Sequence, residues 1–209
     1  MFKDTHCKLV LGFYIFAFAI IAVITGVNVP FAIFLAYSII CCLLSFKLNI
    51  KSGSFCLLVF SFALLLRVAC ILCINTPPES DFRVLFNAAR TYSAGDYTFS
   101  NDNYFYEWAY QTGFVIYQGI VIKILGAEKA LLALKLLNAV YSSMSCILIY
   151  CLAKNYVSEK TARFSSLICA GLIFPLIFST VLSNQHLSTF LALLGLFIIT
   201  DKNSKLHGM

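Results

Sequence analysis

Charge is scarce in this chain. Of its 209 residues only 11% are Asp, Glu, Lys or Arg, against 61% apolar. A water-soluble surface takes roughly a quarter of its residues charged, so an ordinary soluble domain of this length is excluded. Basic runs are missing as well: fifteen Lys and Arg give a formal net charge of +6, yet no two of them are adjacent. That leaves no footprint for a phosphate backbone, and nucleic acid is set aside as a partner. Cysteine is plentiful, with nine in the chain, but none lies between Cys73 and Cys146, and the pattern is not a disulfide framework. Cys70 and Cys73 form a C-x-x-C inside an apolar run without a second pair to complete a metal set, so they read as small apolar side chains. No cofactor and no metal site are expected.

What the chain has is long apolar runs. Leu9–Thr25, Val29–Phe46, Phe55–Ile74, Leu131–Leu152, Phe164–Leu182 and Leu187–Thr200 carry almost no charge. A helical span needs about 20 apolar residues, and these runs are read as six spans of an all-α, polytopic membrane bundle. Phe114–Leu125 is shorter and holds Gln118 and Lys123, which places it in the membrane interface. Lys and Arg then sort by side. Lys3, Lys8, Lys47, Lys51, Lys154, Lys160, Arg163, Lys202 and Lys205 fall inside, while Arg83, Arg90, Lys123 and Lys129 lie in one longer outer segment. Both termini are therefore expected in the cytoplasm, with the chain multi-pass in the cell membrane. No small-x-small cleavage site follows the first run, so it is read as an uncleaved span. The expected organisation is three spans over 1–74, an external segment over 75–129 with surface helices near 81–93 and 113–125, three spans over 130–200, and a tail over 201–209.

The external segment holds six of the nine acidic residues: Glu79, Asp81, Asp96, Asp102, Glu107 and Glu128. Pro77 and Pro78 end the preceding span, and Ser80 stands in the N-cap position of a helix. Phe82, Leu85, Phe86 and Ala89 recur at helical spacing, with Arg83, Asn87 and Arg90 on another face and Gly95 as the stop. The apolar face is expected to lie on the membrane. Asp81 sits in the first turn, where the helix dipole favours an ionised carboxylate; it serves either as a base or as a stabiliser of its own helix. Asp96 to Thr112 reads DYTFSNDNYFYEWAYQT, which contains the single Trp of the chain. Such a segment suits the aromatic belt of a bilayer interface, or a carbohydrate site in which Glu107, Trp108 and Gln111 take part. A second surface helix follows, with Gln111 and Gln118 on one side and Gly126 closing it. Arg67 lies within the third span, about 10 Å from its outer end. It either snorkels to the interface or meets a lipid phosphate with its fork of donors.

This ordered pattern resembles the N-terminal half of GT-C-type glycosyltransferases, the group of bacterial protein O-mannosyltransferases and aminoarabinose transferases. The resemblance is carried by Ser80-Asp81-Phe82, Ala88-Ala89, Gly95-Asp96-Tyr97, the Tyr-rich segment, Lys123-Ile-Leu-Gly126, Leu134-Lys-Leu-Leu-Asn138 and Tyr150-Cys-Leu-Ala153, over roughly residues 55 to 200. It implies transfer of a sugar from a polyprenyl-phosphate carrier to a cell-envelope acceptor at the outer face of the membrane. Asp81 matches the acidic residue of the first external loop and would take the acceptor's proton. Arg67 and Arg83 would contact the donor, and Asn184 and His186 would do so from the next external loop, Ser183-Asn184-Gln185-His186, which here has no carboxylate. Members of the group carry further spans, so this chain is expected to be about half of an enzyme. The alternative reading is a non-catalytic membrane protein, a shortened relative that assists envelope assembly.

Overall fold

The protein is described here from a computed structural model, which describes residues 28–74 and 76–200. The expected first span Leu9–Thr25 and the tail 201–209 lie outside the described residues. Among the described residues the chain is helical throughout, with no strand. In order, α1 covers Asn28–Lys47, α2 Ser52–Cys73 and α3 Ser80–Ser93. A 3-10 turn at Thr98–Asn101, α4 at Asn103–Glu107 and a second 3-10 turn at Ala109–Gln111 follow. Then come α5 at Thr112–Leu125, α6 at Ala127–Lys154, α7 at Glu159–Ala170, α8 at Ile173–Phe178 and α9 at Gln185–Thr200.

Two of these helices, α2 and α6, are long and apolar enough to cross a membrane. At 22 and 28 residues they extend about 33 and 42 Å, against a hydrocarbon core of about 30 Å. The outward side of α2 is made of leucines, with Leu65 69% and Leu72 70% exposed. Water would penalise that surface at about 25 cal/mol per Å², and lipid would not. The other apolar helices are shorter.

The fifth expected span departs from expectation. Phe164–Leu182 is not one helix: α7 begins earlier, at Glu159 behind a Ser158 cap, and stops at Ala170; α8 then runs only from Ile173 to Phe178. Pro175 supplies the reason. It has no N–H to donate to the carbonyl of Gly171 four residues back, and its ring crowds that carbonyl.

The chain divides into two units. The first gathers 28–63, 143–172 and 192–200 of the described residues. Its core is built from Cys41, Phe55, Val59, Cys146, Tyr150, Phe164 and Leu167, with the rings of Phe55 and Tyr150 4.9 Å apart. Small residues bring its helices close: Ser166 donates to the Cys146 carbonyl at 2.7 Å, and Gly171 leaves room for the Tyr37 ring, whose hydroxyl donates to the Leu167 carbonyl. Arg163 ties in the connection between α1 and α2. Its Nη1 and Nη2 each donate at 2.6 Å, to the carbonyls of Leu48 and Ile50, while Nε reaches Glu159 at 3.0 Å and the guanidinium lies over Phe55.

The second unit gathers Leu64–Ser142 and Ile173–Leu191. Here α3 and α5 pack on each other around Leu85, Ala88, Ala89, Phe114, Val115 and Ile122, with Phe105 from α4. The apolar face of α3, expected to lie on the bilayer, is thus buried in protein. Both candidate partners are apolar, and the periodicity of α3 alone does not choose between them. Gly119 permits the contact, since a Cβ there would stand 2.4 Å from Tyr92 Cδ1 and 3.1 Å from the Ala89 carbonyl oxygen. Gly95 (φ +85) and Gly126 (φ +78) terminate α3 and α5 where the sequence marks their stops. Ser80 does not cap α3. Glu79 holds that position, and Ser80 is the first helical residue, at φ +50.

Candidate functional site

The polar residues of interest lie in the second unit. On α6, Lys135, Asn138 and Ser142 recur at i, i+3 and i+7, so one buried stripe of an otherwise apolar helix is polar. Lys135 Nζ donates to the Thr76 carbonyl at 2.6 Å and to its hydroxyl at 3.2 Å, and that hydroxyl donates in turn to the Thr180 carbonyl. Asn138 Nδ2 donates to the Ser183 carbonyl at 2.9 Å. Arg67, 1% exposed, donates from Nε to Ser142 Oγ at 2.8 Å. Arg67 therefore points into protein and not to the interface. The stripe is visible in the sequence as polar residues at helical spacing within an apolar run; Ser142 and Ser183 were missed because serine is unremarkable in such runs.

Beyond α8 the chain turns through Ser179–Asn184 into α9. His186 is 7% exposed in the first turn of α9, ahead of its apolar stretch. Its ring centroid is 6.0 Å from that of Phe178, which stacks on Phe174 and meets Phe82 of α3 edge-on at 6.4 Å. Burial pushes the imidazole down to about 4; a hydrogen bond to the Phe178 backbone opposes this and the Arg67 charge adds to it. Near pH 7 the ring is neutral. Its Nε2 is buried without a hydrogen-bond partner among the described residues, and so is Ser183 Oγ. Gln118 of α5, 0% exposed, has neither amide atom partnered.

Of the residues singled out in the sequence, the structure brings several together. Asn184 Nδ2 donates to Gln111 Oε1 at 2.9 Å, joining the segment ahead of α5 to the turn ahead of α9. His186 and Arg67 are close enough for their charges to interact. Asp81 is exposed in the first turn of α3. It acts on Tyr104, whose phenol is raised first by burial and then by the Asp81 charge. Arg83 and Glu107 are exposed, and their side chains form no hydrogen bond or ion pair with other described residues. Trp108 is 45% exposed with its ring edge toward Tyr110 at 6.0 Å. Asp96 and Asp102 stabilise local turns, accepting from the backbone N–H of Thr98 and Tyr104. The Thr98 bonds hold the Asp96 carboxyl below its ordinary range.

Among the described residues no three of His, Cys, Asp or Glu gather as metal ligands would, and the eight described cysteines are free thiols. No protein-family model, no curated protein and no solved structure matches this chain.

Proposed function

We propose that this chain, alone or within a longer polypeptide, is a multi-pass membrane glycosyltransferase that moves a sugar from a polyprenyl-phosphate carrier to an envelope acceptor on the outer face. The observation that carries this reading is Lys135. It is buried in a membrane-length helix, and both acceptors of its hydrogen bonds are neutral oxygens of Thr76. A cation so placed costs several kcal/mol unless it is paired or wetted, and a lipid phosphate entering from the bilayer would supply the missing negative charge. Arg67 stands in the same unit to share that phosphate. Asp81 is solvent-accessible beside Tyr104, where an acceptor hydroxyl arriving from outside could lose its proton. The phosphate is a good leaving group, and one carboxylate on the acceptor side suits an inverting displacement.

The test is transfer from a radiolabelled polyprenyl-phosphate sugar by membranes carrying the gene. Asp81→Asn is expected to lower the rate about 100-fold or more. Undiminished transfer by that variant would remove Asp81 from the mechanism. Failure of the wild type to transfer any such sugar would leave the non-catalytic, carrier-binding reading in its place. One observation favours a third reading, a small transporter: the apolar stretch broken at Gly171, with Pro175 in the short α8, has the form of a discontinuous span. Solute uptake by vesicles that lack transfer activity would establish it.

A further inference from the structure

Every charged side chain described in the first unit lies at one end of it. Among its described residues the cations are Lys47, Lys51, Lys154, Lys160 and Arg163, and the one carboxylate is Glu159. Their contacts place them together. Lys47 closes α1 and Lys51 precedes α2. Lys154, in the last turn of α6, donates to Ser52 Oγ at 3.2 Å, and Arg163 of α7 holds the carbonyls of Leu48 and Ile50. The Lys160 ammonium lies 5.2 Å from the centroid of the Phe46 ring. Here α2 begins and α6 ends, the two helices long and apolar enough to cross a membrane.

The single carboxylate is already committed. Glu159 pairs with Arg163 at 3.0 Å and with Lys154 at 3.2 Å, and it accepts the Tyr150 hydroxyl. Lys47, Lys51 and Lys160 are exposed, and none of their ammonium groups forms a hydrogen bond or ion pair with another described residue. Three cations therefore face outward. Exposed apolar side chains adjoin them: Phe46 beside Lys47, Leu43 and Leu44 one turn back along α1, about 5 Å away along the axis, and Leu57 within two turns of Lys51 on α2. A soluble polyanion would cover the lysines and press polar groups against leucine. An anionic phospholipid fits both parts, its phosphodiester on the ammonium groups and its acyl chains on the leucines. Membrane topology asks for less, since it needs basic residues only somewhere in the loops. It does not call for cations of two connections to share one place while the sole carboxylate is spent on the other two.

We propose that Lys47, Lys51 and Lys160 form a surface that holds anionic phospholipid headgroups, with the acyl chains along the exposed leucines of α1 and α2. This surface requires the multi-pass membrane reading above and is independent of sugar transfer.

The full chain, purified in a neutral detergent, is titrated with phosphatidylglycerol and separately with phosphatidylcholine, and bound lipid is counted by native mass spectrometry. Both lipids carry a phosphodiester and acyl chains, and phosphatidylcholine adds a cation of its own. Phosphatidylglycerol is expected to bind saturably and about 100-fold tighter, each lysine contributing about fivefold. The triple variant Lys47→Gln, Lys51→Gln, Lys160→Gln is expected to lose that preference and keep phosphatidylcholine binding, which shows that it is folded; arginine at the same three positions is expected to retain the preference. A second triple variant, Arg90→Gln, Lys123→Gln, Lys129→Gln, removes equal charge from exposed positions of the other unit and is expected to leave the preference in place. Equal loss in both triple variants means that net charge alone attracts the lipid, and overturns the inference. Displacement of phosphatidylglycerol by an excess of inorganic phosphate makes this a site for a free anion and overturns it too. Equal binding of the two lipids by the wild type overturns it while leaving sugar transfer to its own assay. Preference for phosphatidylglycerol in a chain that transfers no sugar keeps the surface and removes the transferase reading. Binding of neither lipid removes the membrane reading and the surface together.

Discussion

Arg163 and Gln118 are both buried polar side chains, one in each unit, and their surroundings are opposite. Each of the three guanidinium nitrogens of Arg163 has an acceptor, from Glu159, Leu48 and Ile50, and Phe55 covers the group. Gln118 has no hydrogen-bond partner for its oxygen or its nitrogen, and the second unit holds two further orphans at Ser183 and His186. The first arrangement gives each guanidinium nitrogen an acceptor within the chain and ties a connection to a helix. The second accepts a stability penalty at four atoms of three residues, far apart in sequence but confined to one unit. Polar burial that is satisfied belongs to architecture; polar burial left open marks where a ligand or ordered water belongs.

Three substitutions would break or sharpen this contrast. The largest effect is expected from Arg163→Met, which orphans the Leu48 and Ile50 carbonyls and leaves Glu159 with fewer partners. Unfolding of the purified protein in detergent should show a loss of about 3 to 5 kcal/mol, and a loss under 1 kcal/mol would mean the clamp is incidental. Gln118→Met should act in the opposite direction, gaining about 1 to 2 kcal/mol in the same measurement, because it removes two unsatisfied atoms at similar volume. Destabilisation would instead reveal that Gln118 has a partner. The smallest effect concerns pH. Burial tends to raise the Glu159 carboxyl, but the Tyr150 hydroxyl, Lys154 and Arg163 outweigh it and hold the group below its ordinary range. A carboxyl lower in the folded than in the unfolded state adds stability that is complete above its unfolded value of about 4.3 and lost as pH falls through the folded value. The unfolding midpoint of the wild type should therefore drop below about pH 4 more steeply than that of Glu159→Gln. Parallel curves for the two would show that the carboxylate contributes nothing there.

Much of the helical layout was legible in the sequence. Hydropathy located α1, α2, α6 and α9 to within a few residues, because an apolar run of that length has few other stable forms. The stops of α3 and α5 were legible because Gly95 and Gly126 are needed at positive φ. The break at Gly171 is not legible as a change of period, since a uniformly apolar stretch has none to interrupt; Pro175 is its one mark in the sequence. Which face of α3 and α5 meets protein was hidden for the same reason: lipid and protein interior accept the same side chains. The site was legible in part. Gln111, Asn184, Arg67 and His186 were named from the sequence, and the structure places the first two in a hydrogen bond and the last two within reach of each other's charge. What spacing could not provide was the order of burial, with Asp81, Arg83 and Glu107 outside and Lys135, Ser183 and His186 within. That order is set by tertiary contacts between segments over a hundred residues apart, such as Thr76 with Thr180.

The glycine at 119 has a mechanical meaning. Because Gly119 has no side chain, the Tyr92 ring and the Ala89 carbonyl of α3 sit directly against the backbone of α5 there. Gln111, just ahead of α5, is held by Asn184 at the threshold of α9, while Asp81 rides on the first turn of α3. A methyl at 119 would have to push the Tyr92 ring or the Ala89 carbonyl aside, and with them the helix that carries Asp81.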